Sequence, residues 1–175
     1  MHCQKRISQV SLPMSLIIPQ PDELSDAEKD DAMGAYLMMF AAWGIGLPLP
    51  ILNLVAAVIY HFINRKRSRF VAFNSLQSML SQVPVTLINI GLIAWIVRNL
   101  VSESGFSSTF FGYLVLMVVI NLLYVVLSIV GMIWAKKGRF YYMPLFGRFA
   151  FFRYFGPSAV NFDTPIPPNK PPEGI

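Results

Sequence analysis

The chain has 175 residues, of which 55% are apolar and only 13% are charged, whereas soluble domains carry about 25% charged residues. Its net charge of +5 does not indicate a nucleic-acid partner, because nine of the fourteen Lys and Arg residues (four in 65–69 and five in 136–153) lie directly beside apolar segments. The single cysteine, Cys3, excludes an internal disulfide and a cysteine metal cluster.

The amino-terminal part of the chain precedes the first apolar segment. Its weak apolar run is interrupted by proline, so we expect no cleaved signal peptide, and Met14 is an alternative start. Ser25 and Glu28 have the spacing of a capping box, which predicts a helix that begins near Ser25. We therefore expect a flexible segment over 1–24 and a transmembrane helical domain over 25–155.

Three long segments contain no Asp, Glu, Lys or Arg, namely 32–64, 70–97 and 104–135. Even the shortest, 70–97, spans about 42 Å as a helix, which exceeds the roughly 30 Å thickness of a hydrocarbon core. A soluble domain of this size has too small a core to bury three such segments. The sequence therefore predicts an all-α membrane bundle of three to four transmembrane helices.

As a helix, the first of these segments, 32–64, is too long for one membrane crossing and too short for two full crossings. Its middle, 44–50, reads GIGLPLP, and its two prolines remove backbone donors and disfavour a continuous helix. Either two short helices, 26–43 and 51–64, form a hairpin, or one crossing has a broken centre. We favour the hairpin, because water at its tip can satisfy the freed carbonyl groups.

The basic residues predict the topology. They cluster in the gap after the first segment and in the gap after the third, and basic loops stay in the cytoplasm. The second and third segments therefore each cross the cell (inner) membrane once, with the 99–104 loop outside and the carboxyl terminus in the cytoplasm. The residues predicted to contact anionic phospholipid headgroups are Arg65, Lys66, Arg67, Arg69, Lys136, Lys137 and Arg139.

The second membrane helix carries a polar face. Its polar residues recur at spacings of three, four and five, which places them on one side of the helix, and unpaired amides in hydrocarbon cost several kcal/mol each. This face is either interhelical packing or the lining of a polar passage or docking surface. Its members are Asn74, Gln77, Ser78, Ser81, Gln82, Thr86 and Asn89.

The third helix carries isolated polar residues, Asn121 and Ser128, and two glycines, Gly112 and Gly131. We expect all four to be packing features, with the glycines at points of close helix approach.

An aromatic and basic segment, 138–155, follows the third helix and reads GRFYYMPLFGRFAFFRYF. Aromatic rings favour the headgroup zone and arginines reach phosphates, so we predict an interfacial segment along the inner leaflet. The alternative is a contact surface for a larger partner. The tail over 156–175 contains six prolines and is predicted to be disordered.

The absence of reactive groups guides the functional prediction. The three apolar segments contain no carboxylate, lysine or arginine, which disfavours a proton-coupled carrier. The sequence also contains no group of His, Cys or acidic residues at the spacing of metal ligands, and no glycine-rich phosphate-binding loop. We therefore predict no enzyme, no cofactor and no metal site. The favoured function is a small subunit or scaffold in a membrane complex, whose partners are the bilayer and other membrane subunits or copies of itself. A channel or facilitator for a small solute or peptide is the alternative, and a small membrane enzyme is third.

Two motifs resemble a known family. They are SRFVAFNSLQS over 68–78 and YMPLFG over 142–147, which follows Gly138. Together they resemble a family of small bacterial multipass membrane proteins of unknown function, similar to the twenty-kilodalton membrane subunit of the chloroplast inner-envelope protein import complex. The resemblance covers roughly 36–150, and family members usually have a histidine at the position of Asn74. It implies a bundle of three or four helices and a translocation-related role.

Overall fold

The computed structural model describes residues 18–41, 50–103, 105–156 and 168–172. Within these ranges the chain is all-α, as predicted, and contains no strand. The helices are α1 (Asp26–Leu37), which continues into a 3₁₀ turn (Met38–Phe40), α2 (Pro50–Asn64), α3 (Arg69–Val101), α4 (Ser108–Lys136) and α5 (Gly147–Phe155).

The helix α1 begins where the capping box predicts. The Ser25 hydroxyl accepts a hydrogen bond from the Glu28 backbone N–H at 3.3 Å, and the Ser25 backbone N–H donates to the Glu28 carboxylate at 3.0 Å. Two N–H groups that a helix end leaves unpaired are thereby satisfied, and the carboxylate lies at the positive end of the helix dipole. The predicted helix start near Ser25 is confirmed.

The helices α1 and α2 run in opposite directions beside each other. The hydroxyl of Tyr60, near the end of α2, donates to the carbonyl oxygen of Asp31, near the beginning of α1, at 2.7 Å. At the other end of the pair, Met39 and Asn53 line the same cavity. One broken crossing cannot bring both pairs of residues together, so the structure agrees with the hairpin. Residues 42–49, which connect the two helices, lie outside the described part of the chain.

Two helices, α3 and α4, are long and apolar enough to cross a membrane. Their 33 and 29 residues correspond to about 50 and 44 Å, and only 22% and 11% of their apolar windows are buried inside the protein. Neither is therefore the enclosed core helix of a soluble domain. The helices α1 and α2 have 12 and 15 residues, about 18 and 22 Å, and do not reach across a hydrocarbon core. Length and composition thus identify two of the predicted three to four membrane helices.

The two basic segments lie at the same end of the bundle. Arg67, in the turn before α3, pairs with Asp31 at 2.5 Å, and Lys136, at the end of α4, pairs with Asp30. Both segments therefore lie beside the beginning of α1. Because α3 and α4 are unbroken, the connection between them lies at the opposite end of the bundle. This is the arrangement that the predicted topology requires.

Three aromatic side chains of the segment 138–155, those of Phe140, Phe151 and Phe155, are buried in a folded core, whereas Phe149 is exposed. A location of the segment along the inner leaflet stays a prediction. Phe140 packs against Phe70 and Phe73 from the first turns of α3, with ring centroids 5.2 and 4.9 Å apart. Phe151 and Phe155, from α5, complete this cluster and are fully buried. The apolar beginning of α3 offers these rings a packed surface, and burial there stabilises them more than a partly wet headgroup layer.

A short part of the proline-rich tail, 168–172, is also packed, although the sequence predicts disorder for 156–175. Asn169 is 1% exposed, and its side chain accepts a hydrogen bond from the Phe140 N–H at 2.9 Å. The same amide donates to the carbonyl oxygens of Pro19 and Gly138 at 2.8 and 2.9 Å. Because the Asn169 side-chain amide is hydrogen-bonded to three backbone groups at once, it holds this part of the tail in place.

The described part of the segment before α1, 18–25, also makes contacts with the rest of the chain. Ile18 and Leu24 are buried in the aromatic cluster, and the side chain of Gln20 bonds to the backbone of Asn169. Residues 18–24 thus cover the base of the bundle, and flexibility of the segment 1–24 stays a prediction. Residues 1–17, including Met14, lie outside the described part of the chain.

Candidate functional site

The first turns of the polar face on α3 form a closed hydrogen-bond network. Tyr36 from α1 is 1% exposed, and its hydroxyl donates to Asn74 Oδ1 at 3.0 Å. The side chain of Gln77 donates to the Tyr36 hydroxyl and to the carbonyl oxygen of Tyr141, and accepts from the N–H of Met143 at 3.3 Å. These polar atoms therefore join α1, α3 and the segment after α4.

The next polar residues along α3 also find partners inside the chain. The Ser78 hydroxyl donates to the carbonyl oxygen of Ala35 at 2.8 Å, and the Ser81 hydroxyl donates to that of Ser78 at 2.8 Å. Asn74, Gln77 and Ser78 thus bond to groups outside α3, as interhelical packing requires, whereas the hydroxyl of Ser81 donates within α3.

One polar contact of this region involves residues that the sequence pattern did not single out. His61 from α2 is buried, with Nδ1 2.8 Å from the Ser75 hydroxyl and Nε2 3.3 Å from the Tyr154 hydroxyl. A signal for this contact was present in the sequence, since Ser75 precedes Ser78 by three residues and therefore lies beside the polar face.

Farther along α3 the polar face opens onto a cavity of about 280 Å³. It lies between the end of the 3₁₀ turn and helices α2, α3 and α4. Its polar lining residues are Asn53, Gln82, Thr86, Asn89, Asn121 and Tyr124.

The side chain of Gln82 is 2% exposed, and within the described residues neither its Nε2 nor its Oε1 has a hydrogen-bond partner. The hydroxyls of Tyr124 and Ser128 likewise have no partner at ideal hydrogen-bond geometry among the described residues. The Tyr124 hydroxyl nevertheless lies close enough to Ser81, Gln82 and Ser128 to interact with all three, so these polar groups of α3 and α4 face one another.

The last member of the polar face pairs the two membrane-crossing helices. Asn89 on α3 donates to Asn121 Oδ1 at 3.1 Å and accepts from Asn121 Nδ2 at 3.2 Å. The polar face therefore divides into a paired beginning, an unpaired centre at Gln82 and a paired end.

Comparison with known proteins places the chain in a family. A family model matches residues 29–150, which is more than two thirds of the chain. The chain belongs to the magnetosome magnetite crystal formation protein family. No curated protein matches the chain, and no solved structure matches it. The range shared with the magnetosome family contains the whole polar face and all the residues that line the cavity.

Membership of the magnetosome family confirms one part of the resemblance seen in the sequence and not the other. The chain is a small bacterial membrane protein, and the matched range overlaps the 36–150 expected from the two motifs. The similarity to the chloroplast import subunit is not shown, and no translocation role follows from the family.

The basic residues predicted to contact headgroups are all exposed at the end of the bundle that holds α5. Two of them, Arg67 and Lys136, are engaged with Asp31 and Asp30 of α1. The guanidinium of Arg65 lies over the Phe62 ring, 4.6 Å from its centroid. Contact with phospholipid therefore stays a prediction for this group of residues.

No group of three or more His, Cys, Asp or Glu side chains that could hold a metal ion occurs among the described residues.

Proposed function

We propose that this chain is a non-enzymatic multipass protein of the magnetosome membrane, which assembles with other membrane subunits or with copies of itself during the formation of magnetite crystals. The family description supports the setting and the process. The lengths and exposed apolar surfaces of α3 and α4 support the membrane location. The magnetosome membrane here takes the place of the cell membrane that the sequence alone indicated.

The observation that carries this proposal is the closed network around Tyr36, Asn74 and Gln77. A passage for a solute needs polar groups that are free to exchange partners with it. Here the amides and hydroxyls at the beginning of α3 are used to fix α1 and the segment after α4. This half of the bundle is built to be rigid, as a scaffold requires.

The outer surface of α4 supports assembly with other chains. One broad face of this helix is apolar and exposed over several turns, and it faces either lipid or another membrane helix. Its members are Val115, Leu116, Val118, Val119, Leu122, Leu123 and Val126.

We place the end of the bundle that holds α5 and the tail in the cytoplasm, with its exposed arginines and lysines on anionic phospholipid. The excess of basic residues at this end supports that orientation. The hairpin of α1 and α2 enters the same bilayer from this end, so the membrane-embedded helices number four although two of them are short.

A facilitator for a small solute is the second candidate, and the cavity at Gln82 is the observation that favours it. Cysteine substitutions along 74–89, in a chain with Cys3 replaced by serine, separate the two functions. A passage makes several successive turns reactive toward a membrane-impermeant thiol reagent, whereas a scaffold protects all of them.

The assembly proposal is tested on the tagged full chain in its native membranes. Crosslinking before mild detergent extraction should yield a particle whose mass exceeds that of one chain, and deletion of the gene should alter the magnetite crystals. A control crosslinked only after dilution in detergent should contain less of the large particle. A clean monomer in both samples, with unchanged crystals in the deletion strain, would overturn the proposal.

A further inference from the structure

A site at the base of the bundle holds the described part of the tail, 168–172. Asn169 is 1% exposed, although the next residue, Lys170, is exposed. The groups that bind this segment come from 19–20, before α1, and from 138–142, after α4, and we call these two parts together the tail site. The tail site lies outside the two membrane-crossing helices, at the cytoplasmic end in the orientation proposed above.

The tail site binds the backbone of the segment independently of its side chains. Gln20 Oε1 accepts a hydrogen bond from the Asn169 N–H at 3.2 Å, and Gln20 Nε2 donates to the Asn169 carbonyl oxygen at 3.4 Å. The Tyr142 hydroxyl donates to the carbonyl oxygen of Lys170. In peptide-binding domains, hydrogen bonds to the main chain supply affinity, and pockets for individual side chains supply specificity. The first of these two features is therefore present.

The pocket around the side chain of Asn169 supplies the second feature. Asn169 Oδ1 accepts from the Phe140 N–H at 2.9 Å, and Nδ2 donates to the carbonyl oxygens of Pro19 and Gly138 at 2.8 and 2.9 Å. One acceptor and two donors in this arrangement match asparagine. Aspartate has the same shape but no donor when ionised, so its carboxylate would face two carbonyl oxygens. The pocket therefore distinguishes two side chains of equal size.

The length of the connection allows the segment to reach a neighbouring chain. Eleven residues, 157–167, join Gly156 to Pro168. Eleven residues extend to at most about 36–40 Å, which is several times the roughly 8–10 Å between the axes of packed helices. Each copy of the chain carries both the tail site and the segment that fits it, which is the condition for exchange of an identical element between copies.

We propose that the tail site is a peptide-recognition site, and that in the assembled complex it binds the 168–172 segment of a second copy of this chain. The proposal rests on the self-assembly proposed above, because the exchange requires neighbouring copies. It adds a specific contact to that assembly, which the asparagine pocket and the backbone contacts of Gln20 and Tyr142 define.

The test places a photo-crosslinking amino acid at position 170 of a donor chain, next to the backbone carbonyl that Tyr142 binds. The donor is co-expressed in native membranes with a full-length recipient chain that carries a different tag and no photo-crosslinker. After illumination, adducts that contain both tags are isolated and mapped by mass spectrometry. They should join position 170 of the donor to 19–20 or 138–142 of the recipient.

Asn169→Asp should act in opposite directions in the two chains. In the donor it should lower the yield of two-tag adducts about ten-fold, the equivalent of about 1.4 kcal/mol, because the pocket excludes the carboxylate. In the recipient it should raise the yield, because the recipient's own segment leaves its tail site vacant. Leu145→Asp in either chain is the control. It adds the same charge at a residue that is 89% exposed at the same end of the bundle, and it should leave the yield unchanged.

Gln20→Ala in the recipient separates exchange from a general loosening of the base. Like Asn169→Asp, it weakens the binding of the recipient's own segment, but it also damages the tail site, so it should lower the yield of two-tag adducts. The proposal is overturned if every adduct joins residues of one chain, or if the two recipient variants change the yield in the same direction. The mass of the crosslinked particle tests assembly separately. A large particle without two-tag adducts overturns the exchange and leaves assembly standing, whereas a monomer overturns both.

Discussion

Asn89 of α3 and Asn121 of α4 exchange a pair of side-chain hydrogen bonds at 3.1 and 3.2 Å. The second proton of each amide is also used, since Asn89 donates to the carbonyl oxygen of Val85 and Asn121 to that of Met117. Each amide is therefore satisfied only while the other is present. The pair couples the two membrane-crossing helices at a level beyond the reach of the network around Tyr36.

This pairing predicts a strongly non-additive mutant cycle. Asn89→Leu and Asn121→Leu should each destabilise the protein by about 1–2 kcal/mol, because each leaves one amide without its partner. The double variant should be less destabilised than the sum of the two, with a coupling of about 0.6–2 kcal/mol. The free energy of unfolding in detergent is measured for the wild type, the two single variants and the double variant. Strictly additive effects would show that the two amides do not depend on each other.

The two glycines of α4 differ in their surroundings and predict opposite effects of alanine. A Cβ at Gly131 would lie 2.7 Å from Cε1 of the buried Tyr36 ring, whereas a Cβ at Gly112 would meet nothing within 4 Å. Gly131→Ala should therefore cost about 1–3 kcal/mol through overpacking. Gly112→Ala should be neutral or stabilising by up to about 1 kcal/mol, because alanine favours the helix. Thermal unfolding of the two variants compares them directly.

If Gly131→Ala proves as harmless as Gly112→Ala, the close contact between α1 and α4 is not rigid. The sequence predicted close approach at both glycines, and the structure confirms it at Gly131 alone. The two glycines differ because α1 packs against α4 at Gly131 and not at Gly112. The sequence of α4 alone does not show where α1 packs.

Asn169 predicts that the tail stabilises the base of the bundle. Asn169→Ala would leave the Phe140 N–H and the Gly138 carbonyl without their partner, at a cost of about 1–3 kcal/mol. It should also release the tail for cleavage by a protease at lower enzyme concentration. Lys170→Ala is the control, because its exposed side chain can be removed while its backbone carbonyl still accepts from Tyr142. Equal stability and equal cleavage of the two variants would contradict this role.

The elements that sequence reasoning located well depend on local signals. The charge-free segment 70–97 lies within α3, residues 108–135 of the other charge-free segment lie within α4, and serines cap three of the helices. Charge-free length and capping side chains act within a few residues, so they can be recognised without knowledge of the fold. The hairpin followed from a similarly local feature, the two prolines within 44–50.

The features that the sequence did not predict depend on contacts between distant parts of the chain. Asn169 bonds to Gln20 across 149 positions, and no local pattern marks it as different from other tail residues. Gln77 and Gln82 likewise have the same chemistry and lie on the same face of α3. Gln77 is hydrogen-bonded to α1 and to the segment after α4, whereas Gln82 has no partner at ideal hydrogen-bond geometry among the described residues. Only the packing of other elements distinguishes them.

His61 connects α2, α3 and α5 through its two ring nitrogens. The Ser75 hydroxyl lies 2.8 Å from Nδ1, and the Tyr154 hydroxyl lies 3.3 Å from Nε2. Burial, and then the positive charge of Arg65, lowers the pKa of His61 below its ordinary value of 6.5. The fold therefore favours the neutral imidazole, which has one donor and one acceptor nitrogen for these contacts.

The lowered pKa of His61 predicts that the protein loses stability as the pH falls below 6.5. In that range the unfolded chain binds a proton at His61 and the folded protein does not, so the free energy of unfolding decreases toward the folded pKa and is fully retained above 6.5. The dependence of the free energy of unfolding on pH is measured in detergent at about pH 7.5 and about pH 5.5. Both values lie above the range in which most carboxylates titrate. His61→Gln keeps a donor and an acceptor without a titrating group, and it should flatten the slope. Equal slopes for the two proteins would assign the pH dependence to other residues.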